Sequence, residues 1–136
     1  MLDPSVPRVR LPSGREATPF DALKFCYNLS ETDVEVLLLL LNGEKYDVES
    51  LATKLGLSKA TVNRALNKLV AMGFVRKERE PRRAAGRPKY LYSVANPDEL
   101  LRKIEDDLDV CAKIFKEELK STLTSVLRGF KQPAGN

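Results

Sequence analysis

The sequence predicts a mainly α-helical protein with one small β-hairpin, ending in a long helix. Three observations predict it. Apolar residues recur at helical spacing through residues 18–73, the period changes from 3.6 to 2 over residues 74–95, and a heptad-like apolar seam runs on from Asn96. With 136 residues, 43% of them hydrophobic, the chain has room for one compact domain and an appendage.

Residues 1–17 hold Pro4, Pro7 and Pro12 among Arg8, Arg10 and Arg15, with no apolar periodicity. They predict a flexible arm without fixed structure, long enough to reach DNA or a partner subunit. A folded domain is expected over residues 18–95. Thr18 is suited to cap a first helix that opens at Pro19 and runs to about Asn28, with Phe20, Leu23 and Tyr27 or Cys26 inward. Ser30, with Asp33 three residues on, starts a second helix that continues to Asn42-Gly43. Its five consecutive leucines, Leu37 to Leu41, predict burial on nearly all sides.

Asp47 caps Val48–Leu55, whose apolar positions Val48, Leu51, Ala52 and Leu55 fall at i, i+3, i+4, i+7, and Gly56 ends it. Only Gly56-Leu57-Ser58 separates this helix from the next. That is too short for an antiparallel return and right for a helix-turn-helix. The second helix of the pair, residues 58–72, is capped by Ser58 and stopped by Gly73. Val62, Ala65, Leu66, Leu69 and Val70 form its core face, while Ala60, Arg64, Asn67 and Ala71 point away, flanked by Thr61, Asn63 and Lys68. The outward face carries no acid. Asn pairs bidentately with adenine, Arg with guanine, and a Thr methyl packs on the thymine methyl, so these residue types suit a base-pair edge in the major groove.

Phe74–Glu80 and Lys89–Ala95 read as two strands, with Tyr90, Tyr92 and Val94 on one face. The loop between them, residues 81–88, is framed by Pro81 and Pro88 and carries Arg82, Arg83 and Arg87. Residues 96–128 then predict a coiled-coil helix opened by Asn96-Pro97. Its seam is Leu101, Ile104, Leu108, Cys111, Phe115, Leu119, Leu123 and Val126. An apolar seam on so long a helix asks for a partner helix, which makes these the candidate dimerisation residues. Residues 129–136 are expected as tail.

Charge is distributed unevenly. From Lys54 to Lys89 there are eleven basic residues against two acids, Glu78 and Glu80, while the whole chain carries only +4. A basic centre in an otherwise acidic chain is the electrostatic footprint of a phosphate-backbone binder. Catalysis has little to work with. There is no histidine, no Gly-rich phosphate loop and no clustered carboxylate pair on a short motif, so neither an enzyme nor a metal or cofactor site is expected. Cys26 and Cys111 lie in no CxxC pair and are expected as small buried apolar residues, with a redox-sensing thiol as the alternative. The polar, proline-punctuated start and the absence of any long apolar run predict a cytoplasmic, nucleoid-associated protein.

Helix, helix-turn-helix and two-stranded wing is the winged helix-turn-helix order. Ser30–Leu37, Val48–Leu69, Met72–Val75 and Gly86–Ser93 resemble the archaeal MarR/TrmB-type transcription regulators over roughly residues 30–95. The resemblance implies a dimeric, sequence-specific regulator of transcription, with helix 58–72 in the major groove of double-stranded DNA and wing 81–88 on the minor groove. It implies DNA contacts at Ser58, Lys59, Ala60, Thr61, Asn63, Arg64 and Lys68, and at Arg82, Arg83, Arg87 and Lys89; the helical-face reading adds Asn67. Sugar-sensing members carry a large effector domain after the wing, whereas here a helix follows, as in the short archaeal regulators in which a C-terminal helix makes the dimer. A small-molecule effector is therefore left open. The alternative from another class is a winged helix used as a protein-interaction module in a transcription or chromatin assembly.

Overall fold

In the computed structural model, which describes residues 6–81 and 89–131, the elements are β1 (Val9–Arg10), β2 (Glu16–Ala17), α1 (Phe20–Tyr27), α2 (Glu31–Leu40), α3 (Val48–Leu55), α4 (Lys59–Ala71), β3 (Arg76–Arg79), β4 (Tyr90–Ser93) and α5 (Pro97–Lys131). This is a winged helix-turn-helix followed by one long helix. The chain divides into two units, Met1–Leu101 and Arg102–Asn136.

Local polar groups set the helix ends. At α2, Ser30 Oγ accepts from the Asp33 N–H at 3.1 Å and Asp33 Oδ2 accepts from the Ser30 N–H at 2.9 Å, a complete capping box. Asp47 Oδ1 accepts from the Ser50 N–H at 2.7 Å to start α3, and Ser58 Oγ accepts from the Thr61 N–H at 3.1 Å to start α4. Gly73, at φ +78°, closes α4 as expected: its N–H donates to the Val70 carbonyl and the Phe74 N–H to that of Leu69. This is the paired bonding of a Schellman turn, which needs the left-handed residue that glycine supplies without strain.

The core of the first unit lies where α2, α3 and α4 meet. Val34, Val36, Leu37 and Leu40 of α2, Leu51 of α3 and Val62, Leu66 and Leu69 of α4 are essentially without solvent contact, as is Val94 after β4. The Tyr27 ring meets Phe74 edge-on at 4.9 Å, tying α1 to the segment after α4. β3 and β4 pair antiparallel from Arg76↔Ser93 to Arg79↔Tyr90, and Tyr46 adds a two-way backbone bridge to Tyr92. That bridge fixes the base of the wing beside the start of α3.

Several expectations are corrected. The arm of residues 1–17 is not structureless throughout, because Val9 and Arg10 pair with Ala17 and Glu16 in a small hairpin. Thr18 does not cap α1 with its hydroxyl; its N–H instead donates to Asp21 Oδ2 at 3.0 Å. The leucine run is buried on fewer sides than expected, since Leu38 and Leu39 are half-buried and Leu41 is exposed. Cys26 and Cys111 are half-buried, and neither is a free thiol. Finally, α5 continues through Gly129 and Phe130 to Lys131, into what was expected as tail. Asn96 and Pro97 do open it, with Asn96 Oδ1 accepting from the Glu99 N–H at 3.1 Å.

Candidate nucleic-acid interface

α4 presents the face its sequence pattern dictates. Lys59, Ala60, Asn63, Arg64, Asn67 and Ala71 are exposed, Thr61 is half-buried, and no acid lies in its first turn. At its start the cap continues into a chain of side chains. Ser58 Oγ lies 2.8 Å from Thr61 Oγ1, which in turn accepts from the Arg64 guanidinium at 3.3 Å. The Arg64 side chain is thus directed along the outer face by the group that caps the helix.

Between α4 and the wing strands lies an open groove of about 780 Å³. Lys59, Asn63 and Asn67 line it from α4, Lys77 and Tyr90 from the strands, and Asp47 and Glu49 from the start of α3. The Lys77 ammonium sits 4.4 Å from the Tyr90 ring centroid, with the Arg79 guanidinium at 6.0 Å. Cation–π contact holds both positive groups against the strand without neutralising them. Sequence reasoning missed Lys77, Arg79 and Tyr90 as site residues, although the two-residue alternation of the strand was the available signal.

Acids hold other basic residues of the region. Lys89, expected to touch DNA, lies 2.9 Å from Asp47; Lys59 lies 3.8 Å from Glu49 and Lys45 2.7 Å from Glu78. Burial pushes the Asp47 carboxyl up, but the Ser50 N–H and the Lys89 ammonium outweigh it and leave its pKa below the ordinary value. The Lys45 ammonium likewise holds the Glu78 carboxyl low. Lys68 is engaged within the chain while staying partly exposed: its ammonium donates to Asp33 Oδ2 at 3.1 Å and to the Asn28 carbonyl. Arg82, Arg83 and Arg87 lie outside the described residues.

Of the candidate dimerisation residues, Leu101, Phe115, Leu119, Leu123 and Val126 are exposed, each by half its surface or more, and Ile104, Leu108 and Cys111 are half-buried. Leu127 and Phe130, also exposed, extend the same stripe. No helix among the described residues is long and apolar enough to cross a membrane, and no group of His, Cys, Asp and Glu among them is arranged to hold a metal ion.

The model of the family described as "Sugar-specific transcriptional regulator TrmB" matches residues 23–98. Among solved structures, a possible transcriptional regulator from Methanosarcina mazei Go1 is similar at a TM-score of 0.71 and 23% identity, over 86% of this chain and 98% of that one. The ST1889 protein of the thermoacidophilic archaeon Sulfolobus tokodaii is 36% identical with a TM-score of 0.60, over 74% of this chain and 92% of its own. No curated protein matches.

Proposed function

This chain belongs to the TrmB family of transcription regulators, and from that premise we propose that it binds double-stranded DNA as a homodimer, with α4 in the major groove and the loop at residues 81–88 on the minor groove. The family is one of regulators, not of enzymes. The observation that carries the proposal is the exposed, acid-free face of α4, where Asn63, Arg64 and Asn67 stand together and the Ser58–Thr61 pair directs Arg64. In this reading Arg64 and the two asparagines read base edges, the Thr61 methyl packs on a thymine methyl, small Ala60 and Ala71 let the backbone approach, and Lys59 and Lys77 meet phosphates on either side of the groove. Arg82, Arg83 and Arg87 add contacts from the wing loop. Lys89 reaches a phosphate only by leaving Asp47, and Lys68 is not counted among the contacts.

Dimerisation is proposed through α5. A 35-residue helix spans about 52 Å at ~1.5 Å per residue. Its exposed stripe would leave several large side chains in water, each worth ~1.5–3 kcal/mol on burial. A second copy pairing across a two-fold axis would bury the stripe and present two α4 helices to successive major grooves, about 34 Å apart. Of the eleven basic residues between Lys54 and Lys89, Lys59, Lys68 and Lys89 have acid partners within the chain, and the interaction-module reading gives no use to the concentration of the others.

Titration of the full chain against duplex DNA at two salt concentrations tests the proposal. Affinity is expected to fall steeply between them, because each neutralised phosphate contributes about 0.9 to the slope of log K on log[salt]. Absence of salt-dependent binding would refute it.

A further inference from the structure

We propose that Lys68, which the helical pattern places beside the DNA-facing surface, is a positioning residue that clamps the recognition helix at its C-terminal half, and that Asp33 and the Asn28 carbonyl are the other two members of the clamp. The inference rests on the DNA-binding reading of α4 and deepens it. Three elements meet at one ammonium. Asn28 is the left-handed C-cap of α1 (φ 58°), Asp33 belongs to the first turn of α2, and Lys68 lies on the last turns of α4. Lys68 Nζ donates to Asp33 Oδ2 at 3.1 Å and to the Asn28 oxygen, at the end of α1 where the helix leaves carbonyls without intrahelical partners.

Asp33 is buried, with 7% of its surface exposed, and the same Oδ2 accepts the Ser30 N–H at 2.9 Å. A buried carboxylate with one backbone donor needs a second, charged one. Lys68 supplies it across thirty-five residues of sequence. The two oxygens that bind the ammonium belong to two different helices, so its position fixes α4 in rotation and along its axis. Arg64 and Asn67, one turn and one residue before Lys68, inherit that setting. A lysine that acts on phosphate does so without depending on Asp33, whereas one that acts through the clamp leaves the salt slope unchanged when it is replaced.

The two roles give opposite results in one experiment on the full-length protein. Binding to a duplex is measured across a salt series for the unsubstituted chain, Lys68→Met, Asp33→Asn, the double variant and Lys68→Arg, with circular dichroism reporting folding. Asp33→Asn keeps an oxygen for the Ser30 N–H, removes the charge and replaces the other oxygen by an amide donor. If the clamp positions α4, Lys68→Met and Asp33→Asn each weaken binding about tenfold, the double variant is no worse than either, and the salt slope is unchanged. Lys68→Arg, which keeps the charge and donors for both oxygens, restores binding to within about threefold. The proposal is overturned if Lys68→Met lowers the slope by about 0.9 while Asp33→Asn, by removing an acid near the DNA, tightens binding. Should Lys68→Met be unfolded, Asp33→Asn still decides between these outcomes, since it weakens binding in the first and tightens it in the second. Failure of the unsubstituted chain to bind any duplex would remove the DNA reading itself, and the clamp's role with it. Binding by that chain with the second pattern in the variants removes the clamp alone.

Discussion

Arg64 is one side chain whose setting is visible at both ends, at its helical position and at the Thr61 hydroxyl that receives it at 3.3 Å. Arg64→Ala is expected to cost ~1–3 kcal/mol on the preferred sequence and much less on random DNA, flattening the preference between them. Equal losses on both would assign Arg64 to phosphate. Asn28 supports a stability prediction, because it adopts φ 58°, ψ 42° with a side chain attached. Asn28→Ala should lower stability by ~1 kcal/mol, whereas Asn28→Gly should stay within a few tenths, and denaturant unfolding separates them. At this scale the sequence was legible where the chemistry is local. Ser58, Asp47 and Gly73 do what their types and positions imply, since caps involve groups three or four residues apart. The pairing of Lys68 with Asp33 was illegible, because a long side chain one step off the outward face is directed by an acid in another helix.

Among elements, the helices were readable and the shortest strands were not. Residues 48–55 and 59–71 combine periodic apolar positions with caps at both ends, and their observed bounds follow the expected ones. The hairpin of Val9–Arg10 with Glu16–Ala17 has two residues per strand, too few for any alternation to register, and its pairing comes from backbone bonds around a turn. The Tyr46–Tyr92 bridge was hidden for the same reason. The wing loop, if it contacts DNA as proposed, sets a slope: replacing Arg82, Arg83 and Arg87 by alanine should flatten log K against log[salt] by roughly two to three units and leave the thermal midpoint nearly unchanged. An unaltered slope would mean that the loop does not touch DNA.

At the wing's base, Asp47 has its pKa lowered by folding, as do Asp21 and Glu78. A lowered carboxyl pKa stabilises the fold fully above its unfolded value and loses that contribution as pH falls through the folded one. Lys24, hydrogen-bonded to Glu31, is raised, so its contribution is lost only at strongly alkaline pH. The thermal midpoint should therefore be level from about pH 5 to 9 and drop below roughly pH 4. Asp47→Asn should lower the midpoint at neutral pH and shrink the acid drop; an undiminished drop would take Asp47 out of it.

For the whole molecule, a winged helix-turn-helix followed by a long helix was legible because each of the two stretches has its own period. The length of α5 was underestimated because Gly129 reads as a stop in sequence, yet one glycine near the end of a long helix costs only ~1 kcal/mol. The stripe on α5 then predicts that Leu119→Glu with Leu123→Glu, two charges placed among exposed apolar neighbours, converts a dimer into a monomer and weakens DNA binding without unfolding residues 6–101. Light scattering and circular dichroism check the two parts separately. The most direct measurement for a homodimer on double-stranded DNA is the mass of the complex between the full-length protein and a duplex at micromolar concentration. Two chains per duplex at moderate salt, with dissociation of the DNA as salt is raised, is the expected result. A protein that stays monomeric, or forms no complex with any duplex, would contradict it.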